Sequence, residues 1–461
     1  MKAKLVRTKK ASKEFWTPQP DVIFKDLNEV EFKPQNLIAV DSSKEFQEHM
    51  GFGGSFTEAA AVTLSEAPEA IRREALTAYF SKSEGLGYNL GRLSIHSCDF
   101  GLGNYTYIEE GDAALDTFDM SHDDELIIPM IKEAQEIAGE ELTLLASPWS
   151  PPAFMKDNNE MNYGGKLLPE YHQAWANYFS KFIHGMQDRG INLWGVSVQN
   201  EPAATQTWDS CQYSANEEKN FVRDYLGPTL EINNQADKNI VIWDHNRDLI
   251  LERAIPAYSD PEAAKYIWGV GNHWYVSEDF ELLGKLHDLF PEKHILFTEG
   301  CVEYGIYGND PVWENGEHYG RNIIGDFNNW SRGWIDWNLF LNEEGGPNHV
   351  SNFCEAPIMY DRKKQQLIYN ISYYYIGHFS KYIQTGAKRV LTTTTAKPVE
   401  ISGTGTRTNA KSVSAVAYKN PNGEIVIVAQ NEGHIAEMTL MVDGKAVNIS
   451  LPNNSISTFI I

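Results

Sequence analysis

An alternation running from about residue 51 to residue 383 restricts the fold more than anything else in the chain: short apolar runs separated by longer amphipathic stretches. The runs are Gly51–Thr57, Asn89–Ser97, Leu142–Ser147, Leu193–Gln199, Ile240–His245, Ile267–Trp274, His294–Thr298 and Trp334–Leu341, eight in all. Between them lie stretches with apolar residues at helical spacing, such as Pro68–Phe80, Asp123–Ile137, Glu170–Gln187 and Ala215–Glu231. Strands separated by helices pair in parallel through right-handed crossovers. Eight such units are the number that closes a (β/α)8 (TIM) barrel. The chain's 461 residues suffice for one such barrel and a smaller companion.

After Lys388 the helical spacing stops. Val413–Tyr418, Ile425–Ala429, Met438–Val442 and Ser455–Ile461 are rich in β-branched residues. Turn signals separate them at Asn420-Pro-Asn-Gly423, Asp443-Gly444 and Pro452-Asn-Asn454. This pattern predicts an antiparallel all-β sandwich. The first forty or so residues are also non-helical, and Leu37–Val40 is a strand that can join that sandwich. The predicted division is a segment over 1–43 joining the sandwich, a barrel over 44–386 and the sandwich proper over 387–461. No low-complexity linker separates them, so the two are expected to pack rigidly.

Composition narrows the partners. A net charge of −24 disfavours nucleic acid, whose phosphates need Lys and Arg, and disfavours anionic lipid surfaces. Neither an apolar leader after the basic start nor a run of about 18 apolar residues is present, so a soluble, cytoplasmic protein without membrane insertion is expected. The four cysteines, Cys98, Cys211, Cys301 and Cys354, form no Cys-x-x-Cys pair and argue against a zinc site or a disulfide scaffold. No cofactor and no metal are expected.

Barrels of this class place their chemistry at the C-terminal ends of the strands. The polar residues there are Asp99, Trp149, Asn200 with Glu201, Asp244 with His245, His273 to Tyr275, Glu299, and Asp336 to Asn338. Such a mouth is rich in carboxylates and aromatic rings and poor in bases. Two carboxylates flanking a bond, with rings around them, is the equipment of glycoside cleavage; in the retaining form the pair lies about 5 Å apart. Glu201 ends the fourth run and Glu299 the seventh, a facing arrangement. Topology alone does not rank them above Asp99 or Asp244.

Longer motifs do. Gly51-Phe-Gly-Gly-Ser-Phe-Thr-Glu58, Ser97-Cys-Asp-Phe100, Ala146-Ser-Pro-Trp-Ser-Pro-Pro152, Asn200-Glu-Pro202, His273-Trp-Tyr275, Phe297-Thr-Glu299, Trp337-Asn-Leu339, Asn342-Glu-Glu-Gly-Gly-Pro-Asn348 and Gly377-His-Phe-Ser-Lys381 occur in this order over about 330 residues. The ordered set resembles the glucosylceramidases of glycoside hydrolase family 30. The resemblance implies a retaining β-glycosidase acting on a β-glucoside or β-glucan, with Glu201 as acid/base and Glu299 as nucleophile. It further implies that Asn200 bonds the sugar 2-hydroxyl, Arg92 and Tyr275 stabilise the ionised nucleophile, Asp99 accepts from the 3- and 4-hydroxyls, and Trp149 and Trp337 wall the subsite. His273 and Asn352 complete the substrate-binding set. The neighbouring carboxylate is expected to raise the pKa of Glu201 and keep it protonated.

Blander readings stand beside these. Trp149 is also a plausible packed lid residue, Asp99 a helix cap and Arg92 a structural ion-pair partner. Asp244 and His245 are adjacent potential ligands without a third at helical spacing, a poor metal site. Gly51-Phe-Gly-Gly54 lacks the full spacing of a dinucleotide loop. Glu343 and Glu344 argue against phosphate at the Gly345–Asn348 loop. His349 stands where the lysosomal member carries an aromatic residue. Thr207-Trp-Asp-Ser-Cys211 resembles polysaccharide-active members, so β-1,6-glucan, β-xylosides and β-fucosides remain open as substrates. A non-catalytic sugar-binding protein is disfavoured because both carboxylates are present.

Overall fold

The computed structural model describes residues 1–303, 312–396 and 412–461. Its centre is a closed barrel of parallel strands: β1 (Gly51–Ser55), β2 (Leu90–Ile95), β3 (Thr143–Pro148), β4 (Leu193–Ser197), β5 (Asn239–Asn246), β6 (Ile267–His273), β7 (His294–Glu299) and β8 (Ser331–Asn338). Each strand pairs with its sequence neighbours, and β8 closes onto β1. All eight apolar runs supply these strands. The predicted helices are present too, with two local departures. Asp123–Ile137 is broken at Leu126 into Ser121–Glu125 and Ile127–Ala138. Ala215–Glu231 carries a π-helical turn at Val222–Leu226 that ends at Gly227-Pro228.

The second body is a ten-stranded sheet folded over its own core. The expected strands are in it, and Leu37–Val40 extends into a long strand, Leu37–Glu48. The sheet is not wholly antiparallel: Ala436–Val442 runs parallel to Leu37–Glu48. Lys2–Lys9, Glu14–Ile23, Lys25–Asp26, Lys388–Thr394 and Lys445–Leu451 are strands that the sequence reading left out. Pro18 and Pro20 make Glu14–Ile23 look like loop, but it is the edge strand of the sheet, where a missing N–H costs no ladder bond. Asp443 and Gly444 both have positive φ, as a two-residue hairpin turn requires, and Lys445–Leu451 is the return strand of that hairpin.

The chain's two ends meet in this sheet, since Lys2–Lys9 pairs with Ser455–Ile460. Helix Ile371–Ser380 of the barrel is tied to both strands through His378, whose ring nitrogens lie 2.8 Å from Thr8 Oγ1 and 2.8 Å from Thr458 Oγ1. His49 occupies the junction where the chain passes from the sandwich into β1, and its ring packs among Phe52, Phe327 and Tyr418. Burial pushes both imidazoles down to about 3 from 6.5. The unfolded chain protonates them near pH 6.5 and the folded chain does not, so stability present above that pH is lost as pH falls towards 3. Between pH 7 and pH 5 each histidine should remove about 2 kcal/mol. In denaturant titrations, His378→Gln is expected to lose about 2 kcal/mol less over that interval than the unaltered protein. Equal losses would contradict this origin of acid sensitivity.

Candidate active site

Alternate residues of a strand share a face, and this register builds the site. Leu90, Leu145, Val241, Leu296 and Ile335 cluster as an apolar plug in the barrel. Two residues further along β2, β3 and β7 stand Arg92, Ser147 and Thr298, and all three are buried. The inward side therefore turns polar towards the strands' C-terminal ends.

Asp244, at the end of β5, is the hub of this polar layer. Its Oδ2 accepts from Arg92 Nη2 (2.8 Å), Ser147 Oγ (3.0 Å) and Ser197 Oγ (2.6 Å). Its Oδ1 accepts from Thr298 Oγ1 (2.6 Å) and lies 3.1 Å from His273 Nε2. Burial alone would raise the pKa of this carboxyl, but Arg92 foremost, then His273 and Ser197, hold it well below the usual range. A Cβ at Gly271 would stand 2.7 Å from Thr298 Oγ1 and 2.9 Å from Asp244 Oδ1, so glycine is needed there for the two to meet.

Above the hub sit the two glutamates. Glu299 ends β7; its Oε2 accepts from Arg92 Nη1 at 2.5 Å and its Oε1 from Tyr275 Oη at 2.8 Å. Glu201 follows β4; its Oε1 lies 3.1 Å from His273 Nδ1 and 3.5 Å from His245 Nδ1. Asn200 Oδ1 accepts from Arg92 Nη2 at 2.8 Å. Glu201 and Asp244 both have left-handed backbone, at φ +48° and +44°, and the Glu201 N–H donates to Asp244 O at 3.0 Å. Such a conformation costs a non-glycine residue about 1 kcal/mol or more and gathers at functional positions.

A cavity of about 370 Å³ opens over these groups. Of the residues singled out in the sequence, Asp99, Trp149, Asn200, Glu201, Tyr275, Glu299, Trp337 and Asn352 line it. Asp99 caps no helix; its Oδ2 accepts from Asn348 Nδ2 (3.1 Å) and Asn352 Nδ2 (3.2 Å), and burial raises its pKa to about 7. Trp149 and Trp337 stack on each other at 5.2 Å, with the Arg92 guanidinium 4.7 Å and 5.6 Å from their centroids.

Two residues stand elsewhere. Arg92 lies fully buried beneath the cavity, reaching the ligand space only through Glu299 and Asn200. His273, expected on the sugar, is also fully buried, and its nitrogens face Glu201 and Asp244. It supports the carboxylate rather than the wall.

His245, expected at the mouth from its strand end, lines the space, and so do Gln206, Trp208, Asn246, Val276, Cys301, Glu303 and Cys354, for which no cavity role is expected from the sequence. Trp208 belongs to the Thr207–Cys211 motif. Cys354 lies in a two-residue strand, Cys354–Glu355, paired with Val302–Glu303, and too short to leave a signal in the sequence. All four cysteines are free and buried. Burial pushes the Cys211 thiol up to about 12, and Cys98 also lies well above its ordinary value, as inert structural thiols do. Asp336 is buried and bonded by Tyr319 at 3.2 Å, away from the cavity. His349 faces Asp209 at 3.5 Å. A roomier groove, about 590 Å³, lies beside the opposite ends of the strands. Its charges are already engaged, Lys82 with Glu140 (2.7 Å) and Lys381 with Gly85 O (2.6 Å).

The expected charge pattern is reversed in part. Burial works to raise Glu201, but His245 and His273 outweigh it and draw its pKa below the ordinary value. Burial prevails at Glu299 and raises it, against His273 and Arg92. His273, flanked by Glu299, Asp244 and Glu201, is raised to about 9 despite its burial. Glu201 is therefore held towards its ionised form and His273 towards its protonated one, the reverse of the expected raise at Glu201. Among the described residues, Glu201, His245 and His273 also present one ligand atom each within 4.8 Å of one another, a set able to hold a metal.

Comparison with known proteins adds the following. Residues 49–383 match the family model described as the glycosyl hydrolase family 30 TIM-barrel domain, and residues 386–459 that of the family 30 beta sandwich domain. The chain is 35% identical over 445 residues to the putative glucosylceramidase 3 of Caenorhabditis elegans, covering 92% of this chain and 81% of that protein. It superposes on the crystal structure of SrfJ from Salmonella typhimurium with a TM-score of 0.91 at 36% identity, covering 100% and 99% of the two chains. An endo-β1,6-glucanase structure superposes with a TM-score of 0.84 at 26% identity, covering 99% of each. No helix of the described residues is long and apolar enough to cross a membrane.

Proposed function

This chain belongs to glycoside hydrolase family 30, and from that membership we propose that it hydrolyses β-glucosidic bonds with retention, Glu299 acting as nucleophile and Glu201 as acid/base. The observation that carries the reading is the donor pair on Glu299. Arg92 and Tyr275 each hold one of its oxygens, favouring the charged form and fixing its direction, while Glu201 faces the same cavity beside the His273 imidazole.

In the first step Glu299 attacks the anomeric carbon while Glu201 protonates the departing oxygen. His273 Nδ1, 3.1 Å from Glu201 Oε1, orients this carboxyl. Glu201 in its acid form gives its proton to the leaving group and leaves the step as a carboxylate. In the second step the Glu201 carboxylate takes a proton from water, which displaces Glu299 from the sugar. Asn200 bonds the 2-hydroxyl, where contacts strengthen in the oxocarbenium-like transition state. Asp99 receives hydroxyls of the same sugar against Trp149 and Trp337. Asp99 is ionised above its pKa of about 7, and hydrogen bonds to such a charged acceptor contribute about 1.5–3 kcal/mol each. Asp99→Ala is therefore expected to lower kcat/KM on an aryl β-glucoside by about a hundredfold or more. A fall of less than threefold would remove Asp99 from the sugar site.

A second reading, cleavage of β-1,6-glucan, is favoured by Trp208 and Gln206, which extend the lining of the cavity beside Glu201, and by the likeness to an endo-β1,6-glucanase. Rates on aryl β-glucoside, β-xyloside and β-fucoside, β-1,6-glucan and glucosylceramide separate the substrates. Following the first product by NMR tests the mechanism: β-glucose is expected, and α-glucose as the first anomer would overturn it.

A further inference from the structure

We propose that the corner behind the acid/base is a reversible binding site for one divalent cation of the zinc class, coordinated by Glu201 Oε1, His245 Nδ1 and His273 Nδ1. The three atoms lie within 4.8 Å of one another, with Glu201 Oε1 3.1 Å from His273 Nδ1 and 3.5 Å from His245 Nδ1. Zinc–nitrogen and zinc–oxygen bonds of about 2.0–2.1 Å set tetrahedral ligand atoms roughly 3.3 Å apart, so small side-chain adjustments close the shell.

The surroundings orient these ligands as metal sites require. His273 Nε2 faces Asp244 Oδ1 at 3.1 Å, so that nitrogen carries the hydrogen and Nδ1 is left with its lone pair once the ring is neutral. This is the carboxylate–histidine–metal arrangement that fixes a ligand's tautomer and raises its basicity. Asp244 is itself held by Arg92, Ser147, Ser197 and Thr298 and cannot swing away. His245 Nδ1 receives the Asn246 amide at 3.2 Å, which likewise marks it as a lone-pair acceptor that an ion can take over.

Charge and access point the same way. Asp244, Glu201 and Glu299 are three carboxylates around one fixed cation, Arg92. Once the ion displaces the Nδ1 proton of His273, three carboxylates face Arg92 and one divalent charge, and the cluster is neutral. Two imidazoles and one carboxylate suit zinc, cobalt, nickel or copper rather than magnesium or calcium. Glu201 and His245 line the cavity, so the fourth position faces it and is open to water. An ion there occupies the Glu201 oxygen that would carry the proton, and binding therefore opposes turnover. This last consequence rests on Glu201 being the acid/base; the site itself does not.

The test uses the full-length enzyme, freed of metal by chelation, and Zn²⁺ alone. Calorimetry is expected to show one ion per chain, and His245→Gln to weaken binding by tenfold or more. Cys354→Ser, which alters the nearby thiols instead, is expected to leave the affinity unchanged. Co²⁺ added to the unaltered protein should give the visible bands of a low-coordinate site, a readout that needs no variant to fold. Zinc should inhibit hydrolysis of an aryl β-glucoside competitively and reversibly on adding chelator. Affinity insensitive to His245→Gln, or lowered by Cys354→Ser, or the absence of the cobalt bands, would overturn the site. Stoichiometric binding through His245 without inhibition would uphold the site and overturn Glu201 as the acid/base.

Discussion

Glu299→Gln is expected to lower kcat on an aryl β-glucoside by about four orders of magnitude while leaving the fold intact. The substitution keeps the side chain's size but exchanges an attacking oxyanion for an amide that forms no stable glycosyl ester. Arg92 and Tyr275 then have no charged partner on that side, although Arg92 retains Asp244. Unfolding measured by circular dichroism should show the ordinary cooperative transition, so that lost activity is not lost structure. Retention of more than a few per cent of the turnover would mean that another group attacks the sugar, and Asp99 would be the first to examine.

Glu201→Ala should give a different signature, because an acid matters only as much as the leaving group needs it. Turnover of a disaccharide or alkyl β-glucoside is expected to fall by about 10³–10⁴-fold. Formation of the glycosyl-enzyme from a dinitrophenyl β-glucoside should fall far less, since that phenolate departs without a proton. Hydrolysis of the intermediate still lacks its base, so added azide, which needs none, should speed turnover and yield β-glucosyl azide. Kinetics against leaving-group pKa, with and without azide, check the expectation. A uniform loss across leaving groups, with no azide effect, would assign Glu201 a structural part only.

The barrel was legible in the sequence because its strands are buried on both faces and read as short, largely apolar runs, several of which end in a polar residue that meets the mouth. Leu296 in the plug, Thr298 in the polar layer and Glu299 at the rim show how a few consecutive positions carry the whole progression. Other features depend on partners far away in the chain. Lys2–Lys9 lies between Glu14–Ile23 and Ser455–Ile460, and its own residues do not show that the second of these, at the far end of the chain, is its mate. Asp244 looked like any other carboxylate at a strand end; its place under Arg92 follows from donors on β2, β3, β4 and β7 converging on one point.

The protonation of Glu201 illustrates the same limit. A second carboxylate nearby argues for a raised pKa, and that inference is sound for an isolated pair. Here His273 and His245 stand closer to the balance than the sequence reveals, since both come from neighbouring strands and only the closed barrel turns them towards Glu201.

The division of labour between the two glutamates is tested most directly by trapping the intermediate. A 2-deoxy-2-fluoro-β-glucoside with a good leaving group forms the glycosyl-enzyme and slows its breakdown, so the label remains through proteolysis and mass mapping. One fluoroglucosyl group per chain on Glu299 is the expected result; a label on Glu201, on Asp99 or on no carboxylate at all would contradict it.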